Sequence, residues 1–267
     1  MKALKRLATQ HPALFGLLIS LMVLVSYVAT GILAEVVASD RAGYELTKAM
    51  GRVAASMFFL YILYRFGWLE SAGVTRWGAL YAWVITLIVL AYDLVTTTYA
   101  LFGSVGMFGI SDPTVSTSVA TNALATGLIE EIPFRGIVLY ALVRFWGDSR
   151  RGVVKGVLCS SLLFGGIHII HILLGRPVPQ AILVVISTFL SGIFYAAFVL
   201  RWKTIWTVVM LHGVTNAVVA MRILETPGFT ETVPALGLAI LLQLPVVVYG
   251  AYLVYRVPSQ PVIPDAC

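Results

Sequence analysis

Long apolar segments constrain this chain more than any other feature of its sequence. A helix needs about 20 mostly apolar residues to cross a bilayer, and eight stretches of the chain meet that need. They are 12–34, 51–69, 77–101, 118–143, 156–174, 179–200, 204–221 and 234–255. Only 11% of the 267 residues are charged and 60% are hydrophobic, whereas soluble domains carry about 25% charged residues. The sequence therefore predicts an all-α, polytopic transmembrane helical bundle of about eight spans, with residues 1–267 forming a single integral membrane domain.

The basic residues of the loops indicate how the bundle is oriented. Cytoplasmic loops of membrane proteins carry an excess of Lys and Arg. With the N-terminus in the cytoplasm, 12 basic residues fall on the cytoplasmic side and five on the other side. This bias explains the net charge of +6 without a nucleic-acid partner, since no basic stripe with interleaved aromatics is present. We expect both termini in the cytoplasm and, because no organelle signal is seen, a prokaryotic cell membrane.

Three polar clusters interrupt the apolar segments, and each lies inside a candidate span. Their sequences are EEIPFR at 130–135, FGGIH at 164–168 and HGVTN at 212–216. Counted from basic residues at the cytoplasmic ends, Glu130, His168 and His212 lie 14, 13 and 9 residues deep. These counts correspond to depths of about 14–21 Å at a rise of about 1.5 Å per residue. Ionisable groups in hydrocarbon are expensive and mark a functional site by default, so the shared depth predicts one buried catalytic site.

The first cluster contains two carboxylates with different surroundings. Glu131 and Arg135 are four residues apart, which is the spacing of an ion pair on one helix face. Glu130 points about 100° away and has no such partner nearby in the sequence. Glu130 is therefore the better candidate for a general base toward water, with Glu131 and Arg135 as supporting residues or as a purely structural ion pair. Pro133 removes one backbone hydrogen bond, to the carbonyl of Ile129, and is expected to disturb the helix beside the carboxylates.

The second and third clusters supply imidazoles and an amide. His168 follows two glycines that allow another helix or a substrate backbone to come close, and His171, one turn further on, is a weaker candidate. His212 and Asn216 are four residues apart and offer two donors to one point, as an oxyanion site requires. Interhelical hydrogen bonding is the structural alternative for such residues. Asp93, in the middle of the third segment, is expected to face a cavity or to pair with an arginine rather than to take part in catalysis.

The three clusters resemble, in order, the motifs of the CPBP intramembrane proteases. The matching residues are Glu130-Glu131-x-x-x-Arg135, Phe164-x-x-x-His168 and His212-x-x-x-Asn216. This family includes the CAAX prenyl endopeptidases and the Abi-type bacteriocin-processing and immunity proteins. The resemblance covers residues 118–221, which would form the CPBP-type catalytic core of the domain.

The resemblance implies a role for each matched residue. Glu130 would activate the water with help from His168, and His212 and Asn216 would stabilise the oxyanion. The supporting pair, Glu131 with the arginine four residues on, would shape the site.

The resemblance leaves metal dependence open. The family is usually catalogued among metalloproteases, yet its mechanism has also been described as glutamate-dependent without a tightly bound metal. A zinc site needs about three protein ligands and an open position. Glu130, His168 and His212 could supply those ligands, and metal-independent catalysis is the alternative.

The sequence therefore predicts an intramembrane endopeptidase that cleaves near the cytoplasmic side of the lipid bilayer. Its substrate would be a peptide or a membrane protein, in CAAX-type, leader-peptide or membrane-protein processing, and the sequence does not select among these. Two alternatives stay open at this point. One is a non-catalytic membrane scaffold or immunity-type protein with a structural polar core. The other is a proton-coupled transporter that uses Asp93, Glu130, Glu131 and the histidines as a relay, although the internal repeats common in transporters are not seen.

Overall fold

The chain forms a bundle of helices in a computed structural model that describes residues 1–105, 112–226 and 228–258. No strand occurs in these described ranges. The helices are α1 (Lys2–Gln10), α2 (Pro12–Val37), α3 (Arg41–Phe66), α4 (Leu80–Phe102), α5 (Pro113–Glu131), α6 (Tyr140–Trp146), α7 (Arg150–Ile167), α8 (Ile170–Leu173), α9 (Val178–Trp202), α10 (Trp206–Leu224) and α11 (Val233–Arg256). A π-helical segment, Ile132–Leu139, joins α5 to α6.

Seven helical stretches in the described part of the chain are long and apolar enough to cross a membrane. They are Pro12–Val37, Arg41–Phe66, Leu80–Phe102, Arg150–Leu173, Val178–Trp202, Trp206–Leu224 and Val233–Arg256. These stretches correspond to seven of the eight predicted spans and confirm the polytopic helical bundle. The eighth predicted span, 118–143, is divided among α5, the π-helical segment and α6.

The divided span is the centre of the bundle. Every residue from 129 to 139 is buried, and α5 packs against both α3 and α10. The disturbance expected at Pro133 takes the form of the π-helical segment, because proline cannot donate the backbone hydrogen bond that regular α-helical winding requires. Single π-helical turns are frequent at functional sites. A polar segment is tolerated at this depth because protein, and not lipid, surrounds it.

Helix α3 begins ten residues earlier than the predicted span 51–69. Its N-cap is Asp40, whose side chain accepts a hydrogen bond from the backbone N–H of Gly43 at 2.7 Å. The additional turns contain Arg41, Glu45 and Lys48, of which Glu45 is buried. Hydropathy missed these turns because it reads their charged residues as a loop, although Glu45 faces the interior of the bundle.

Close approaches at glycines set the distance between the helices that carry the polar clusters. A Cβ atom on Gly127 of α5 would lie 2.9 Å from the carbonyl oxygen of Val209 and 3.0 Å from Cα of Gly213, both in α10. The close approach expected at the two glycines before His168 occurs at Gly165, where a Cβ would lie 2.9 Å from Val185 O of α9. It does not occur at Gly166, where a Cβ would meet open space.

Replacing Gly127 by Ala is expected to lower stability. The new Cβ would meet backbone atoms of α10 at 2.9–3.0 Å, and overpacking of this kind costs about 1–3 kcal/mol. The matched control is Gly237→Ala in α11, where a Cβ would meet open space and alanine stabilises a helix by about 0.5–1 kcal/mol. Thermal unfolding in detergent should give a lower melting temperature for Gly127→Ala and an unchanged or higher one for the control. Equal melting temperatures would contradict the close approach of α5 and α10.

Candidate active site

The two glutamates at the end of α5 contact one histidine of α10. Oε1 of Glu131 lies 2.8 Å from Nδ1 of His212, and Oε2 of Glu130 lies 3.7 Å from Nε2 on the other side of the ring. An ionised carboxylate can only accept a hydrogen bond. Nδ1 of His212 therefore carries a proton and donates it to Glu131, which directs Nε2 toward Glu130.

Arg135 holds the other oxygen of Glu131. Its Nε lies 2.9 Å from Oε2 of Glu131, and both side chains are fully buried, so the predicted ion pair is confirmed. The guanidinium carbon lies 4.4 Å from the centre of the Phe164 ring, a cation–π contact that is strongest when the cation is desolvated. This contact explains why the second cluster begins with an aromatic residue. Glu131 thus binds a cation through one oxygen and orients His212 through the other.

His168 reaches the same region from the end of α7. Its Nδ1 lies 2.9 Å from the backbone carbonyl oxygen of Phe164, and because a carbonyl only accepts, Nδ1 donates and Nε2 is left free. The Phe164 ring lies between the two histidines, with its centre 5.3 Å from that of His168 and 6.0 Å from that of His212. Glu130 is within electrostatic range of His168. The three clusters, predicted to share one depth, therefore meet around Phe164.

Of these residues, Phe164 and His212 line a cavity of about 610 Å³. Asn216 lines the cavity beside His212, and its side chain makes no hydrogen bond to any residue that the structure describes. Of the two donors predicted for the oxyanion, the Asn216 amide is therefore available. His212 is held by both glutamates and can contribute only through Nε2. His171 also lines the cavity, with its ring centre 5.8 Å from that of His168.

Asp93 belongs to the same cavity. Its carboxylate accepts a hydrogen bond from the Thr215 hydroxyl at 2.7 Å and lies in the cavity wall. Thr215 is part of the third cluster, so Asp93 ties α4 to the helix that carries His212. Of the two expectations for Asp93, the structure agrees with a cavity-facing position.

Sequence reasoning missed Tyr27. Its hydroxyl donates a hydrogen bond of 3.0 Å to Oε1 of Glu130, from helix α2 and 103 residues away in the chain. The Tyr27 ring is packed beneath the guanidinium carbon of Arg52, 4.3 Å from the ring centre. Arg52 in turn donates to the Asn122 side chain and, at 2.7 Å, to the Thr126 hydroxyl. No motif could have shown this, since an apolar stretch containing one tyrosine is ordinary in a membrane helix.

The predicted zinc ligands are only partly brought together. Glu130 and His212 are adjacent at 3.7 Å, but the described residues contain no group of three or more His, Cys, Asp or Glu side chains arranged to hold a metal ion. The residues present therefore fall short of a three-ligand zinc site. Zinc at Glu130, His168 and His212 stays a prediction, and the chemistry proposed below takes no step through a metal.

Comparison with known protein families adds an independent finding. Residues 113–218 match the model of the type II CAAX prenyl endopeptidase Rce1-like family, a segment that starts with α5 and contains all three motifs. By its description, the matched family is one of endopeptidases. The matched segment is less than half of the chain, and it supports the resemblance to the CPBP family that the motifs predicted. No curated protein and no solved structure matches the chain significantly.

Replacing Tyr27 by Phe is expected to slow peptide cleavage while the fold is kept. The change removes only the hydroxyl that orients Glu130, and a hydrogen bond to a charged group contributes about 1.5–3 kcal/mol, or about 10- to 100-fold in rate. The matched control is Tyr99→Phe, on an exposed position of α4. Turnover should fall for Tyr27→Phe and stay unchanged for the control, with equal melting temperatures. Wild-type turnover in Tyr27→Phe would show that Glu130 does not depend on this contact.

Proposed function

We propose that the protein is an intramembrane endopeptidase in which Glu130 and His168 activate a water molecule for attack on a peptide bond. The observation that carries the proposal is the position of His212, 2.8 Å from Glu131 and 3.7 Å from Glu130, at the inner end of a cavity of about 610 Å³. Gathering ionisable groups inside a membrane bundle is costly. Here they meet at the wall of a space that can admit a peptide segment.

The reaction begins with removal of a proton from water. Tyr27 occupies Oε1 of Glu130, so Oε2 is the oxygen left to accept the proton, and Nε2 of His168 orients the water. The hydroxide attacks the carbonyl carbon of the substrate and forms a tetrahedral intermediate. The C–N bond breaks when Glu130 returns the proton to the leaving amine. Bonds and protons therefore balance with water as the only co-reactant.

The negative charge that develops on the carbonyl oxygen needs donors at the inner end of the cavity. The side-chain amide of Asn216 is one, and Nε2–H of His212 is the second when the ring is protonated. Glu131 favours the protonated ring because its carboxylate accepts from Nδ1 at 2.8 Å, as carboxylate partners do for other catalytic and ligating histidines. In this way Glu131 assists the oxyanion site, while Glu130 handles the proton.

Substrate would reach the site from one end of the bundle. The cavity extends to Arg41, Arg176 and Ile223, which lie beside the α2–α3, α8–α9 and α10–α11 connections. Because successive spans alternate in direction, this end is opposite to α1. With the N-terminus in the cytoplasm, the cavity opens on the far side of the membrane, which does not fit the expected cleavage near the cytoplasmic side. We infer that the substrate is a peptide or membrane-protein segment entering from this end.

The mouth of the cavity is rich in cationic side chains. Arg41 and Lys48 lie 3.7 Å and 3.4 Å from the one carboxylate of Glu45, and Arg176 pairs with Glu231 at 2.8 Å. A substrate segment with acidic side chains or a free carboxylate would therefore be favoured over a basic one. CAAX-type, leader-peptide and membrane-protein substrates remain candidates under this proposal.

Glu130→Gln is the substitution that tests the proposed base. The amide keeps the shape of the side chain and can still accept from Tyr27, but it cannot take up a proton. Cleavage should therefore fall by about 10²- to 10⁴-fold, the usual contribution of general acid–base catalysis. The measurement is turnover of internally quenched peptides, with and without a prenylated cysteine, by protein in liposomes.

The matched control for this test is Glu35→Gln, which removes an exposed carboxylate at the end of α2. Cleavage that survives in Glu130→Gln at the rate of Glu35→Gln would contradict the proposed mechanism. Proton flux that depends on Glu130 in the same liposomes, without cleavage, would favour the transporter alternative instead.

A further inference from the structure

A second cavity lies at the end of the bundle opposite to the mouth of the active-site cavity. Its volume is about 250 Å³, and its walls come from the α3–α4 connection, the π-helical segment with α6, the end of α9 and the residues after α11. Its charged lining residues are Glu70, Arg76, Arg135, Arg144 and Lys203. Among the residues that the structure describes, four cations therefore share the cavity with one carboxylate, and that carboxylate is paired with Arg76 at 2.8 Å.

Arg135 forms the inner end of this cavity. The residue is only 1% exposed, and Nη1 and Nη2 have no hydrogen-bond partner among the described residues. A guanidinium carries five N–H donors in a planar fork, and buried donors without acceptors are costly. Glu131 satisfies the charge of Arg135 from the Nε side, whereas the outer nitrogens of the fork lack an acceptor.

Lys203 brings a further cation to the cavity and is held there by the backbone. Its φ is +56°, the only positive φ of a non-glycine residue in the ranges that the structure describes. The backbone around it packs on the α3–α4 connection, where a Cβ on Gly73 would lie 2.8 Å from the carbonyl oxygen of Lys203. No carboxylate pairs with Lys203 among the described residues, and burial together with the neighbouring Arg76 lowers the pKa of its ammonium group.

We propose that this cavity is a binding site for a phosphate group. Phosphate oxygens are acceptors that match a guanidinium fork in two-point contacts, and an ammonium group adds a compact charge. Arg76 and Lys203 would bind the phosphate at the entrance, and it would face the unsatisfied side of Arg135. Basic pockets between transmembrane helices are typical sites for anionic lipid headgroups. The phosphate could therefore belong to a phospholipid headgroup or to a soluble phosphate compound, and both share this chemistry.

The site is connected to the active site through one side chain. Arg135 lies between the cavity and Glu131, which in turn orients His212. A bound phosphate would compensate the charge of Arg135 from the side away from Glu131. The binding itself is independent of the proposed protease function, so it can be tested without a substrate.

The test is a comparison of melting temperatures of the full chain in detergent at constant ionic strength. One arm adds inorganic phosphate, with chloride as the reference. The other arm adds mixed micelles of phosphatidylglycerol, with phosphatidylcholine as the reference. Because a ligand that binds only the folded state stabilises it, we expect a rise of several degrees in at least one arm. A rise in the first arm alone indicates a soluble phosphate, and a rise that requires phosphatidylglycerol indicates a lipid headgroup.

The variant for this test is Lys203→Asn. Asparagine tolerates a positive φ better than most residues, and the change removes the ammonium group that would bind the phosphate. The matched control is Arg201→Gln, an exposed cation at the end of α9 that does not line the cavity. The apparent affinity should fall at least fivefold in Lys203→Asn and stay unchanged in Arg201→Gln. No shift in either arm, or equal affinities in the two variants, would overturn the proposal.

Discussion

The active centre depends on one buried carboxylate that serves two partners. Glu131 binds Arg135 through Oε2 at 2.9 Å and His212 through Oε1 at 2.8 Å. Removing one member of a buried ion pair leaves the other uncompensated and costs about 3–5 kcal/mol. The arrangement also needs α5 and α10 to lie close together, which the contact of Gly127 with Gly213 permits. Charge pairing and helix packing therefore stabilise each other at the centre of the bundle.

Adjacent glutamates on one helix receive different surroundings because side chains one residue apart point about 100° apart. Glu131 points into the protein, where a cation and an imidazole satisfy it. Glu130 is held through one oxygen by Tyr27, and its other oxygen is directed toward His212. One side chain thus stabilises the site and the next is left able to react. The π-helical winding that follows Glu131 keeps Arg135 within reach of it.

Several parts of this arrangement could be predicted from the sequence. The apolar segments predicted the helical bundle. The shared depth of the three clusters predicted that they meet at one site, and the spacing of Glu131 and Arg135 predicted their ion pair. The contribution of Tyr27 and the bond between Asp93 and Thr215 could not be predicted, because Tyr27 and Asp93 come from helices outside the motifs and no local period connects them to the site. The early start of α3 was also not predicted, because hydropathy cannot distinguish a charged side chain that faces an internal cavity from one that lies in a loop. The hydrogen bond between His212 and Glu131 depends on how α10 packs against α5, and this packing cannot be derived from the spacing of residues in the sequence.

The most direct measurement is the protonation pattern of the His212 ring, read from the ¹⁵N chemical shifts of its two nitrogens. The chain has four histidines, so His212 can be assigned by substitution. The account predicts a protonated Nδ1 in the native protein, with a chemical shift that changes in Glu131→Gln, where a neutral amide oxygen replaces the charged acceptor, and stays the same in Glu130→Gln. A neutral ring with its proton on Nε2, or shifts that do not respond to Glu131→Gln, would contradict the claim that Glu131 orients His212.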